Sequence, residues 1–236
     1  MERWEKRDQD LYMQRKVVGM NKENINKLIF WQLLYIVIYG FCTAIINNCF
    51  RKSIMLAVDV SGAVYILFNL FFVKYKRERL FINGIIGALS VMFLGSWFGQ
   101  QLDVESTITI GAAVTAMDII SFTGIGKRTV NAKAMANKSV AARLFVYGIE
   151  KNDVLIPTCG FGDYLYYAIW ISGIHAVSDS MQTYIFTAFM ILMGIIIQSV
   201  VVKKLSVRDN FKGFPGTVFP FLGTVLAYLT VYYLLK

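Results

Sequence analysis

Charge is scarce in this chain, and above all absent from its apolar runs. Only 17% of the 236 residues are charged, and no lysine or arginine falls within any of its long hydrophobic stretches. One histidine, His175, and three cysteines, Cys42, Cys49 and Cys159, leave no spacing for a metal centre or a disulfide framework. The cysteines all lie in apolar segments and read as small buried hydrophobes. No glycine-rich nucleotide loop and no serine-type triad is present. Residues 1–27 are charged throughout and lack an apolar core, so no cleavable leader is expected there.

Hydrophobic length is what the chain has instead. Its composition is 56% hydrophobic, with a mean hydropathy of +0.54. A membrane span needs roughly 20 mostly apolar residues. Seven stretches qualify: Leu28–Asn48, Ile54–Val73, Leu80–Gly99, Ser106–Phe122, Val154–Val177, Met181–Val202 and Phe214–Leu235. Residues 1–20 are amphipathic at best and are expected at the surface. Alternate connecting segments, 1–27, 74–79, 123–153 and 203–213, hold 21 of the 24 Lys and Arg residues. That asymmetry predicts a cytoplasmic N-terminus and an external C-terminus. It also accounts for the net charge of +9 by contact with anionic lipid, without nucleic acid.

Three acidic residues fall inside the predicted spans: Asp59, Asp118 and Asp163. Asp59 is five residues from the outer end of its span, within reach of interfacial water. The other two lie deeper. Asp118 comes nine residues before Lys127, or roughly 13 Å along a helix, and Asp163 ten residues after Asp153, roughly 15 Å. Antiparallel neighbouring helices would bring both carboxyls to one level. A carboxylate in hydrocarbon costs at least a few kcal/mol, about 3 by insertion scales, so such residues point to function. On a helix, Thr115 and Ser121 share the face of Asp118, while Cys159, Gly160, Tyr166 and Tyr167 share that of Asp163. Two close carboxyls in a low dielectric keep one proton between them. The ionised partner can then act as general base on a water and the protonated one polarise a carbonyl. A proton or ion relay in a transporter also uses intramembrane acids, and is the alternative on residues alone.

Asp118 on one span, a basic loop, then Gly160-Phe161-Gly162-Asp163 on the next resembles the presenilin and signal peptide peptidase family of G-x-G-D intramembrane aspartyl proteases. The resemblance covers residues 80–235. It implies an all-α, presenilin-like bundle of about seven transmembrane helices, with Asp118 and Asp163 as the catalytic pair. The implied layout is a cytoplasmic segment, 1–27, and one transmembrane protease domain, 28–236, whose active-site spans run from 106 to 235. Substrate contacts are implied for Gly160, Phe161 and Gly162 and for a proline motif opening the last span. The family reads Pro-Ala-Leu there. This chain reads Pro215-Gly216-Thr217 and then Pro220-Phe221-Leu222, and either can be the equivalent. A further departure is Met117, where the family often has tyrosine. The implied partners are a membrane-spanning peptide substrate, such as a signal-peptide remnant, and the bilayer itself, with no cofactor beyond water.

Prepilin peptidases also carry G-x-G-D, but further spans separate their two aspartates. Here residues 124–153 hold six Lys or Arg with Asn131, Asn137 and Asn152, and read as a loop with a short helix at most. Alanines between 130 and 145 favour that helix at the inner surface. By the resemblance, this loop could receive an unwound substrate as an added strand. Pro215 and Pro220 remove amide donors near the start of the last span. His175, about 18 Å along the helix from Asp163, is expected at the interface.

Overall fold

The computed structural model describes residues 22–74, 76–121, 138–150, 154–205 and 214–234. The expected surface segment at 1–20 and the first part of the basic loop lie outside the described residues. Among those described, eight α-helices and two strands follow one another. They are α1 Lys22–Cys49, α2 Lys52–Phe71, α3 Leu80–Gly99, α4 Val104–Ser121, α5 Lys138–Arg143, β1 Phe145–Glu150, β2 Val154–Gly160, α6 Phe161–Gly173, α7 Met181–Leu205 and α8 Val218–Leu234. Five helices, α1 from Asn26, α2, α3 with its leading 3-10 turn from Arg77, α4 and α7, are long and apolar enough to cross a membrane. The chain is therefore a mostly helical, multi-pass membrane protein.

The expectation of about seven full spans changes at the two shorter helices. The fifth expected span, Val154–Val177, is two elements: residues 154–160 form a strand, and the helix begins only at Phe161. Pro157 cannot sit in a helix interior, and its neighbours Val154, Ile156, Thr158 and Cys159 suit a pleated strand. The partner strand comes from the stretch read as loop. β1 and β2 pair antiparallel, Phe145 opposite Gly160 and Glu150 opposite Val154, with one irregularity beside Val146 and Tyr147. Thr158 is the extra residue there, and its hydroxyl donates to the Val146 carbonyl at 2.9 Å. Such bulges tolerate proline and re-aim the chain, here straight into α6. The last span is also shorter than expected, because residues 214–217 are not helical.

Small residues decide how the helices meet. α3 presents Gly84, Gly87, Gly95 and Gly99 to the hairpin and α6. A side chain at Gly95 would lie 2.5 Å from the Ala168 Cβ and 2.7 Å from the Leu165 carbonyl; one at Gly99 would lie 2.7 Å from the Ile169 carbonyl. Gly95 and Gly99 thus face Ala168 and Ser172, small-xxx-small on both helices, the pattern by which membrane helices pack backbone to backbone. Gly95→Leu is expected to force α3 from α6, costing about 1–3 kcal/mol or more by overpacking. A lower Tm and loss of the monodisperse peak in detergent would report it.

The remaining elements brace this pair. α7 packs along α8 and α1, and α2 leans on α3. From α1, Tyr39 donates to the Tyr164 carbonyl at 2.9 Å and Tyr35 to that of Tyr147 at 2.8 Å, fastening α6 and the hairpin. Asp103 caps α4 by accepting the Ser106 amide at 2.7 Å, which holds its carboxyl below the usual carboxylate range.

Candidate functional site

Two breaks in helical geometry, the strand-to-helix turn at Gly160 and the extended entry to α8, converge on the second half of α4. Asp118 lies on α4, three residues before Ser121, the last residue described in that helix. Asp163 is the third residue of α6. Both acids lie beside Gly216, but Asp163 stands in the first turn of its helix and not ten residues into a long span. The strand at 154–160 is what brings Asp163 to the start of its helix.

Gly216 marks the meeting point. A Cβ there would lie 3.8 Å from Asp163 Oδ1 and 3.9 Å from Asp118 Oδ2, with ordinary contact to both and no clash. The two carboxylates thus flank a gap that glycine leaves empty of side chain. Asp163 is held on the oxygen away from Gly216, and Asp118 on the same oxygen that faces it. Asp118 Oδ2 accepts the Thr217 amide at 3.0 Å and the Thr217 hydroxyl at 2.9 Å. Asp163 Oδ2 accepts the Gly160 amide at 3.3 Å and the Cys159 thiol at 3.3 Å. Backbone amides at the N-terminal ends of α6 and α8 therefore serve the pair, the part of a helix where negative charge is best accommodated.

Of the two proline motifs, Pro215-Gly216-Thr217 is the one beside the acids. Pro220-Phe221-Leu222 lies inside α8. Pro220 is buried in the first turn, and Leu222 is 50% exposed on the outer face. Phe221 fills the space beside Gly111 and packs on Trp170 with ring centroids 5.6 Å apart, joining α8 to α4 and α6. Phe161 is likewise a packing residue, its ring filling the notch at Gly87. Gly162 is exposed and a Cβ there would meet nothing within 4 Å, so helix packing does not require this glycine. Gly160 has φ −78° and ψ 156°, ordinary extended backbone.

Local sequence neighbours predicted the partners of Asp163 better than those of Asp118. Cys159 reaches Asp163 from the strand preceding α6. Thr115 and Ser121, expected at Asp118, do not bind its carboxyl: Ser121 donates to the Asp118 backbone carbonyl at 2.6 Å, and Thr115 Oγ1 is buried without a hydrogen-bond partner. Thr217 takes that place from 99 residues away, which helix periodicity cannot signal. His175 stands in the 3-10 turn at the opposite end of α6, half-buried, with Nδ1 unpartnered. Asp59 is buried in α2, away from the pair along the chain. Among the described residues, no three His, Cys, Asp or Glu side chains are grouped to hold a metal ion.

Chemically, two acids across an unfilled gap can share one proton and hold one water. Compared with protein-family models, with curated proteins and with solved structures, the chain matches none.

Proposed function

We propose that this chain is an intramembrane aspartic endopeptidase that cleaves membrane-spanning segments or signal-peptide remnants. The observation that carries the reading is the pair Asp118 and Asp163 across the side-chain-free position Gly216. In the reaction, the ionised carboxylate takes a proton from water as the water oxygen bonds to the scissile carbonyl carbon. The protonated partner gives its proton to the carbonyl oxygen, and a gem-diol forms. Collapse of the gem-diol breaks the C–N bond: one hydroxyl returns its proton to the second carboxylate as the C=O reforms, and the departing nitrogen takes the proton held by the first carboxyl. The residue pattern that resembles the G-x-G-D family supports the same chemistry, with Pro215-Gly216-Thr217 in the role of the family's proline motif.

Membrane placement in this reading follows from charge. The N-terminus is cytoplasmic and the C-terminus external, a placement supported by the 21 of 24 Lys and Arg that fall on one side. Two further crossings, α8 and the composite of hairpin and α6, complete seven passes. A helical peptide bond is shielded from attack, so substrate must unwind near the acids. The hairpin ends at Gly160, three residues before Asp163, so an extended segment added along it would run towards the carboxylates.

A doubly tagged single-span reporter, reconstituted with the protein in vesicles, tests the reading. Mass spectrometry should place the cut inside the apolar segment, and a peptide carrying a hydroxyl isostere of the gem-diol should block it. An intact reporter, together with proton-driven uptake of a solute by the same vesicles, would overturn the proposal in favour of a transporter.

A further inference from the structure

Thr217 has two tasks available to it and performs the less usual one. Its carbonyl accepts the Phe221 amide at 2.9 Å, the first hydrogen bond of α8, which makes Thr217 the N-cap. A threonine in that position ordinarily turns its hydroxyl back to accept the amide of the second or third helical residue. The third residue of α8 is Pro220, which has no amide to offer. The hydroxyl donates outward instead, to Asp118 Oδ2 at 2.9 Å, and the Thr217 amide donates to the same oxygen at 3.0 Å. Both donors are desolvated, for Thr217 is only 2% exposed.

The helix at the other end of these bonds is unevenly held. The first half of α4 is keyed into the bundle: Thr107 is fully buried against Gly173, and the Phe221 ring and Trp170 close on Gly111. In its second half Thr115 is buried, while Met117 and Ile119 turn outward, 56% and 47% exposed. Asp118 sits in that half, and a small swing of the helix would carry it away from Asp163.

We infer that Thr217 is a positioning residue: its hydroxyl and amide latch the second half of α4 to α8 and keep Asp118 opposite Asp163. The effect on turnover rests on the endopeptidase reading; the latch itself does not. Thr217→Val keeps the shape and the amide but removes the hydroxyl, and Thr217→Ser keeps both donors.

Two readouts separate the claims. Nitroxides at Met117 on α4 and Leu229 on α8, both exposed, are placed in full-length protein in nanodiscs with Cys42→Ala and Cys49→Ser. Pulsed electron resonance should give one narrow distance distribution for the parent and Thr217→Ser, and a broadened or split one for Thr217→Val. An unchanged distribution in Thr217→Val overturns the latch. In reporter cleavage, Thr217→Val should lower kcat about 10–100-fold, the worth of one charge-assisted hydrogen bond, with KM within about twofold. Thr217→Ser should recover kcat to within about threefold of the parent. A Thr217→Val enzyme with full kcat overturns the positioning role. If the parent cleaves nothing, the endopeptidase reading falls and the distance distributions still decide the latch.

Discussion

Asp118→Asn and Asp163→Asn should each abolish cleavage, lowering kcat by at least about 1,000-fold, while leaving the fold intact. The magnitude follows from the division of labour across the gap. Asparagine can neither take the water's proton nor give one to the carbonyl oxygen, so either substitution removes a proton-transfer step outright. The effects should not add. Once one carboxyl is lost, the proton relay no longer exists, and the double variant should be no slower than the worse single one. Thermal unfolding in detergent checks that folding is preserved. In Asp118→Asn the new side-chain carbonyl could still accept from Thr217, and in Asp163→Asn from Gly160 and Cys159, so neither variant leaves those donors stranded. Cleavage that survives either substitution would sink the two-carboxylate mechanism.

Gly216→Val is expected to lower kcat beyond about 100-fold with little change in Tm, and Gly216→Ala by about tenfold. A Cβ at 216 fits the space, at 3.8 and 3.9 Å from the two carboxylate oxygens, so the backbone need not move. The methyls beyond it would occupy the gap in which the proposed endopeptidase would place water and the scissile carbonyl. The distinction from a packing glycine is sharp. At Gly95 even the Cβ collides, at 2.5 Å, with the facing helix, and the expected loss there is of stability. The ratio of activity loss to Tm loss therefore separates the two kinds of glycine. A Gly216→Val protein that keeps full activity would show that no reactant passes through this gap.

What could be read from the chain alone was set by length and by charge. Runs such as Leu80–Gly99 and Met181–Val202 are apolar for about the thickness of a bilayer, and α3 and α7 begin at those same residues. Asp118 and Asp163 stood out because a carboxylate among such residues is strongly disfavoured unless something holds it. Cys159 as a neighbour of Asp163 was also legible, being only four positions away in the sequence.

Apolar composition does not say how a segment pairs, and the errors arose there. Val154–Gly160 reads equally well as helix or strand, since both bury the same side chains. Pro157 and the partner strand Phe145–Glu150 tip it to strand, which moves Asp163 to the first turn of α6. The choice between the two proline motifs was likewise beyond the sequence. It depended on where α8 begins relative to Asp118. The helix begins after Thr217, so Pro220-Phe221-Leu222 turns inward and outward along α8, and Gly216 faces the acids. Sequence determined that this protein crosses the membrane and which two acids it must accommodate, because those follow from local solvation cost. Only the tertiary structure decided what stands between the acids and what holds them. The gap at Gly216 and the bonds from Thr217 join residues nearly a hundred positions apart, which no local preference encodes.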